Sequence, residues 1–243
     1  MESVPGKAIL LGGTDTGVGK TVVGVMLAAS LVSRGLRVAA MKPVESGCDP
    51  DPGDAMALAA ITGQTDLELL CPYRLRLPVA PESAAEAEGR IIDPVLIAER
   101  LARLQQDADV VLVESAGGLG TPCGPGLLVL DLAHRLHLPL LLVARNALGA
   151  VGQTLVALRL MRHEGLRCRG VVLSTSSEPG PEARTHAPLL DEHGGGVPLL
   201  GILPHLGAVP SGDGAALRCW ARGHVATFER ALNLTSLLTW LDE

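Results

Sequence analysis

A glycine-rich loop near the start of the chain has the residue types that bind a nucleoside triphosphate. The stretch GGTDTGVGKT (residues 12–21) follows the apolar run AILL and precedes a helical pattern. In such a loop the backbone N–H groups cradle phosphates, Lys20 reaches the β- and γ-phosphates, and Thr21 offers its hydroxyl to Mg²⁺. The usual first glycine falls at Thr14, so the loop is one residue longer than the common pattern. The sequence predicts a phosphate site, against the alternative of a glycine turn that happens to precede Lys-Thr.

Polar side chains follow two further apolar runs, where a parallel sheet would place its ligand. MKPVESG (residues 41–47) contributes Lys42, Glu45 and Ser46, and VESAGG (113–118) places Glu114 at the end of a strand that should be buried. A carboxylate there is costly unless it is paired or binds a metal. Asp54 opens a helix, where it is either an N-cap or a metal ligand. Thr21, Asp54 and Glu114 together would supply oxygen ligands for Mg²⁺.

Alternating strand and helix patterns must position these residues. The predicted strands are near-continuous apolar runs, typical of strands covered on both faces: Ala8–Leu11, Arg37–Met41, Val110–Glu114, Leu138–Ala144, Gly170–Ser174 and Leu199–Leu203. The predicted helices are Gly19–Ser33, Asp54–Thr62, Pro94–Gln106, Gly126–Leu136, Gly149–His163 and His224–Leu241. The segments Ile61–Arg90 and Ser176–Pro198 are predicted loops. This order predicts an α/β fold, a mostly parallel doubly wound sheet flanked by helices of the P-loop NTPase type, in one domain over residues 1–243.

Composition excludes several classes of function. The net charge of −6, without a Lys/Arg cluster, argues against nucleic acid as a partner. Five widely spaced cysteines indicate reduced thiols in a cytoplasm, and neither they nor the seven histidines have zinc-ligand spacing. We find no signal peptide and no apolar stretch long enough to span a bilayer, so we expect a cytoplasmic protein that does not bind membranes.

Taken together, the motifs resemble those of dethiobiotin synthetases. GTDTGVGKT, MKPVESG, GDAMAL, APESAAEAEG, VESAGG, LGAVGQ and PLLGILP occur in that family's order and span the chain to about Pro204. In that family, too, the phosphate loop is one residue longer than the common pattern. The resemblance implies a homodimeric enzyme that converts 7,8-diaminononanoate, CO₂ and MgATP into dethiobiotin, ADP and phosphate. An amine is carbamylated, the carbamate attacks the γ-phosphate, and the second amine closes the ring.

The resemblance also implies roles for particular residues. The catalytic group would be Lys42, Lys20 and Thr16, with Mg²⁺ held by Thr21, Asp54 and Glu114. The substrate would contact Thr16, Ser46 and, near the partner chain, Leu148, Gly149, Ala150, Val151 and Gly152. The nucleotide would contact Asp15, Gly17, Val18, Gly19, Lys20, Thr21, Val22, Asp54, Glu114, Ser115, Ala116, Gly117, Ser174, Thr175, Leu203, Pro204 and His205.

The chain departs from the family pattern at three places. Gly152 and Gln153 stand where an Asn-His pair is usual, near the expected substrate carboxylate. Ser174-Thr175 replaces an amide-containing pair that reads the adenine edge, so nucleotide preference could be relaxed. Ser115 stands where glycine is usual.

Two other classes of function stay open on the sequence. The first is a MinD/ParA-like regulatory ATPase, which usually carries a lysine early in its loop where this chain has Thr14 or Asp15. The second is a related ATP-dependent carboxylating or amide-forming enzyme that acts on another substrate, favoured only by the altered Gly152-Gln153 pair.

Overall fold

A six-stranded parallel sheet forms the centre of the computed structural model, which describes residues 6–175, 180–181 and 183–242. Its strands are β1 (Lys7–Gly13), β2 (Val38–Met41), β5 (Val110–Gly118), β8 (Leu140–Arg145), β9 (Cys168–Ser174) and β10 (Leu199–Leu203). The spatial order is β10-β9-β8-β1-β5-β2. All six predicted strands are present, and the α/β fold with a mostly parallel sheet is confirmed.

Helices cover both faces of this sheet. They are α1 (Lys20–Ser33), α2 (Gly53–Thr62), α3 (Leu67–Leu70), α4 (Pro81–Ala87), α5 (Pro94–Asp107), α6 (Val129–Arg135), α7 (Ala150–His163), α8 (Ala183–His193), α9 (Gly214–Ala231) and α10 (Thr235–Asp242). Two small sheets pair β3 (Val44–Ser46) with β4 (Tyr73–Leu75), and β6 (Pro122–Gly124) with β7 (Leu127–Leu128).

Successive residues of the central strands enter two separate cores. Ile9 and Leu11 pack with α1, α2 and α9, whereas Leu10 packs on the other face with α5, α6 and α7. Because both faces are covered, an apolar side chain is favoured at every position of the strand. Because β1, β5 and β2 are parallel neighbours, their carboxyl ends lie at the same edge of the sheet.

Several predicted elements were wrong. The segment Ile61–Arg90 contains α3, β4 and α4 rather than a loop, and Ser176–Pro198 contains α8, although residues 176–179 and 182 lie outside the described part. The helix predicted over Gly126–Leu136 begins only at Val129, because residues 127–128 form β7. The C-terminal helix begins ten residues before His224 and is interrupted, so that α9 and α10 replace it.

Candidate active site

The phosphate loop joins β1 to α1 and is held in shape by two left-handed glycines. Gly17 has φ 68° and Gly19 has φ 97°, a region that side-chain-bearing residues rarely adopt. A Cβ atom on Gly19 would lie 2.4 Å from Ser174 Oγ, so the end of β9 touches the loop. Arg145, at the end of β8, donates from Nη2 to the Gly17 carbonyl at 3.2 Å. The loop is thus braced by two neighbouring strand ends.

Lys20 folds back over the loop instead of pointing to solvent. Its Nζ donates to the Asp15 carbonyl at 3.2 Å and would lie 3.0 Å from a Cβ on Gly13. Burial, and then the nearby Lys42 ammonium, lower the pKa of Lys20 below its usual value. A phosphate in the loop would relieve both effects by supplying negative charge to the amine.

A largely buried cluster of charged side chains lies beside the loop. Lys42 Nζ donates to Glu114 Oε1 at 2.6 Å and to Asp54 Oδ2 at 2.8 Å. Thr21 Oγ1 donates to the same Glu114 oxygen at 2.9 Å. Burial alone would lower the pKa of Lys42, but the Glu114 and Asp54 carboxylates outweigh it and raise that pKa. Burial would raise the pKa of Asp54, yet the Lys42 ammonium holds it below its usual value.

Glu45 fixes the position of Asp54, a role that the sequence did not reveal. Its two carboxylate oxygens accept the backbone N–H groups of Asp54 and Ala55, each at 2.9 Å. These N–H groups open α2, whose N-cap, Pro52, has no side-chain hydrogen bond to offer. Burial raises the pKa of Glu45, although the two N–H donors oppose that shift. The carboxylate of Asp54 is therefore presented to Lys42 by a helix end that Glu45 caps.

The residues present fit a magnesium ion. Glu114 Oε2 is buried and has no hydrogen-bond partner among the described residues. Thr21, Asp54 and Glu114 offer hydroxyl and carboxylate oxygens, the donors that Mg²⁺ prefers in company with substrate phosphates. The pairing of Asp54 with Lys42 also disfavours the simple helix-cap reading, since the cap is supplied by Glu45.

Several other predicted residues lie at the same edge of the sheet. Thr16 is exposed on the loop, Ser46 ends β3, and Ser115 Oγ contacts the Gly117 carbonyl at 3.4 Å. The Thr175 backbone N–H donates to the Leu203 carbonyl at 3.0 Å, which brings the end of β9 to Pro204 and His205. A cleft of about 760 Å³ borders Thr21, Val22 and Asp54, and the segment 209–214 lines its opposite wall.

The start of α7 does not join the cluster. Within the described residues, no hydrogen bond or ion pair links the predicted substrate segment, Leu148 to Gly152, to Lys20, Lys42 or Glu114. Gly149 begins the helix with φ 91° and no side-chain cap, and Leu148 is 88% exposed.

Sequence reasoning missed a buried polar group at the ends of β8 and β9. Asn146 Nδ2 donates to Thr175 Oγ1 at 3.2 Å, and Asn146 Oδ1 lies 2.8 Å from His186 Nδ1. Asn146 follows an apolar strand just as Lys42 does, so the same argument would have found it. His186 had no such signal, because it lies on α8, which the sequence pattern did not predict.

The loop, sheet and acidic strand end define a P-loop nucleotide-binding protein. The model of the AAA domain family matches residues 7–211. In the solved MinC:MinD cell division complex of Aquifex aeolicus, a chain matches with TM-score 0.55 and 15% identity, covering 92% of this chain and 89% of that one. That likeness shows the fold alone.

Sequence relatives narrow the class further. The ATP-dependent dethiobiotin synthetase BioD of Anoxybacillus flavithermus is 34% identical over 206 residues, covering 82% of this chain and 92% of the relative. The enzyme of the same name from Anaeromyxobacter sp. is 41% identical over 174 residues, covering 71% and 78%. The chain belongs to the ATP-dependent dethiobiotin synthetase family. None of its described helices is long and apolar enough to cross a membrane.

Proposed function

We propose that this chain is an ATP-dependent ligase that carboxylates 7,8-diaminononanoate and closes the ureido ring of dethiobiotin. The observation that supports this most is the buried Lys42, held by Glu114 and Asp54 beside the phosphate loop. A switch ATPase needs residues that bind phosphate and metal. A second buried ammonium next to them is what an anionic acceptor of the γ-phosphoryl group requires.

The reaction would proceed in three steps: carbamylation, phosphoryl transfer and ring closure. One substrate amine attacks CO₂, which forms a C–N bond and releases a proton. A carbamate oxygen then attacks the γ-phosphorus, and the β,γ-bridging P–O bond breaks to release ADP. Finally the second amine attacks the carbonyl carbon and loses a proton, and phosphate leaves with the C–O electron pair. Lys42 stabilises the carbamate anion, and Lys20 stabilises the charge on the transferring phosphoryl group.

The other side chains orient these reactants. Thr16 and Ser46 hold the diamine end, and the loop N–H groups from Asp15 to Val22 hold the triphosphate. Thr21, Asp54 and Glu114 would hold Mg²⁺, and the bound ion would neutralise charge on the substrate phosphates. Glu114 to Gly117 line the nucleotide, and the ends of β9 and β10 (Ser174, Thr175, Leu203, Pro204 and His205) flank its base.

We further propose that the working form is a homodimer in the cytoplasm. The exposed start of α7 in one protomer would reach the carboxylate tail of the substrate held by its partner, through the N–H groups of a helix end. The five cysteines are all free, which suits a reducing compartment.

Turnover measurements on two variants test the proposed enzyme. ATP hydrolysis should rise when both 7,8-diaminononanoate and bicarbonate are added, with dethiobiotin detected by mass spectrometry. Lys42→Ala should abolish this stimulated turnover and leave ADP binding largely intact, because its ammonium serves the acceptor. Lys7→Ala is the matched control, since Lys7 lies at the opposite edge of the sheet and should keep full turnover.

Two results would contradict the proposal. ATP hydrolysis that does not change when the diamine is added, or that rises only with a protein partner, would favour a MinD/ParA-like regulatory ATPase. Unchanged stimulated turnover in Lys42→Ala would remove Lys42 from the mechanism even if dethiobiotin is made.

A further inference from the structure

A second cleft lies at the amino ends of the strands, on the edge of the sheet opposite the candidate active site. It has a volume of about 610 Å³ and is lined by the starts of β1 and β9, the turn after α6 and Trp240 of α10. This volume is within the range of small-molecule sites. We call it the amino-edge cleft. Its cationic and aromatic lining comprises Lys7, His134, His137, Arg167, Arg169 and Trp240.

The described side chains that line this cleft include basic residues and no acidic ones. None of the described residues that line it is Asp or Glu, although the whole chain carries a net charge of −6. The cations Lys7, Arg167 and Arg169 form no ion pair within the described part of the chain. Like charges brought together without a counter-ion repel one another, so an anion entering the cleft would be stabilised by all three.

Two of these cations are held close together on one indole ring. Lys7 Nζ lies 5.7 Å, and Arg169 Cζ 5.1 Å, from the centroid of Trp240. The ring face attracts each cation but does not neutralise either one. Lys7 Nζ also donates to the Trp240 carbonyl at 2.6 Å, whereas Arg169 Nε is buried with no described hydrogen-bond partner. A buried donor of this kind is open to an acceptor that the described residues do not supply.

Apolar groups form the rest of the wall. Leu136, Leu138, Pro139 and Leu166 line the cleft together with Trp240. Inorganic phosphate would fill only a fraction of this volume and leave the apolar wall in contact with water. An anion on an apolar body would satisfy the arginines and bury that wall at once.

We propose that the amino-edge cleft binds a small organic anion, with Arg167 and Arg169 contacting the anionic group and Trp240 contacting the apolar part. The site is separate from the candidate active site, which lies at the other end of strands that are up to nine residues long. Its occupancy does not depend on the proposed enzyme activity.

Tryptophan fluorescence tests the proposal directly. The chain has two tryptophans, so Trp220→Phe leaves Trp240 as the only one and its emission reports the cleft. Phenyl phosphate is the probe, with inorganic phosphate and benzyl alcohol as its anionic and apolar halves. We expect saturable quenching by phenyl phosphate, at least tenfold weaker binding of inorganic phosphate, and no response to benzyl alcohol.

Variants in the same background locate the binding. Arg167→Ala and Arg169→Gln should each weaken phenyl phosphate at least tenfold, while Arg222→Ala, an exposed arginine on α9, should not change it. Quenching should persist in Lys20→Ala, which excludes the phosphate loop as the source of the signal.

Several outcomes would overturn the proposal. They are the absence of saturable quenching, equal binding of inorganic phosphate, and binding that survives both arginine substitutions in folded protein. Binding that appears only after removal of the acidic residues 242–243 would assign the cleft to the chain's own carboxylates, and would overturn it too.

Discussion

Lys42 is a buried cation whose carboxylate partners come from two different elements. Glu114 lies in the middle of β5 and Asp54 is in the first turn of α2, and the ammonium lies 2.6 and 2.8 Å from them. Removing one member of a buried ion pair typically costs about 3–5 kcal/mol, because the remaining charge is left without compensation. The cluster should therefore be sensitive to substitution of any one of its members.

Glu45 should be a positioning residue for this cluster. Glu45→Gln leaves one of the two α2 N–H groups facing an amide NH₂, and an unsatisfied buried donor costs about 1–3 kcal/mol. We expect a lower melting temperature and roughly tenfold lower kcat for the diamine-dependent reaction, with a smaller change in the KM for ATP. Steady-state kinetics and calorimetry measure both.

Glu88→Gln is the control for that experiment. Glu88 also accepts a backbone N–H, from Arg76 at 2.6 Å, but that hydrogen bond is exposed to water, so the substitution should change neither quantity. If Glu45→Gln lowers stability while kcat stays at the wild-type value, Glu45 caps the helix without positioning Asp54.

Gly19 should be essential for nucleotide affinity. In Gly19→Ala the new side chain meets φ 97° and lies 2.4 Å from Ser174 Oγ, so the loop must move. We expect at least tenfold weaker ADP binding by isothermal titration. Adding Ser174→Ala removes the oxygen contact but not the backbone strain, so it should restore the affinity only in part.

Gly223→Ala is the matched substitution. Gly223 lies inside α9 with no atom within 4 Å of the new Cβ, so alanine should be neutral or add up to about 1 kcal/mol of stability. Wild-type ADP affinity in Gly19→Ala would show that the loop tolerates a side chain there.

The site residues differ in how far the sequence could reveal them. Lys42 and Glu114 were found because a polar group after an apolar run marks the edge of a parallel sheet. The role of Glu45 was hidden, because its partners are backbone N–H groups nine and ten residues along the chain. Such a contact depends on how the chain folds back and leaves no periodic signal.

The helices and strands also differ in how far the sequence could reveal them. The central strands were predictable because burial on both faces makes them apolar throughout, whereas α3 has four residues, too few for a helical period. The start of α9 did carry a signal, since Asp213 accepts the N–H groups of Ala215 and Ala216. Its end carried none. The chain leaves the helix because Leu232 bridges to Gly201 and the Asn233 N–H donates to Leu200.

The packing of α9 on α1 should depend on pH through one carboxylate. Glu229 accepts from Ser30 Oγ at 2.6 Å and from Arg34 Nη2 at 2.8 Å, and these contacts hold its pKa below the ordinary 4.5. A carboxylate whose pKa is lowered by folding stabilises the folded state at pH values above its unfolded-state pKa. That stabilisation is lost as the pH falls through the folded-state pKa. Because the pair is partly exposed, the contribution should be about 1 kcal/mol.

Urea unfolding of Glu229→Gln at several pH values measures this contribution. The difference from wild type should be full at neutral pH and should disappear in acid. Glu99→Gln, an exposed α5 residue with no described partner, should show no such difference. A destabilisation of Glu229→Gln that is the same at every pH would assign the effect to packing rather than to charge.

At the scale of the whole molecule, the sheet separates two sets of charges. The carboxyl ends bring together Lys20, Lys42 and the carboxylates of Asp54 and Glu114, whereas the amino ends gather cations without described carboxylates. A cluster in which cations and carboxylates are paired can rearrange around a reacting phosphate. A group of cations without described carboxylate partners favours stable binding of an anion. The two edges therefore suit different tasks.

Assembly should depend on the exposed apolar face around α7. Leu148 is 88% and Val156 68% exposed, and in the proposed homodimer the partner chain would cover them. We expect Leu148→Ser with Val156→Ser to shift the protein from dimer to monomer in light scattering. Diamine-dependent turnover should fall with it, because the helix end that would bind the substrate carboxylate belongs to the partner, while ADP affinity should stay unchanged.

Ile91→Ser, 76% exposed but distant in sequence, should leave the dimer intact. A dimer that survives the double substitution would move the interface elsewhere, and full turnover by a monomer would show that one chain completes the site.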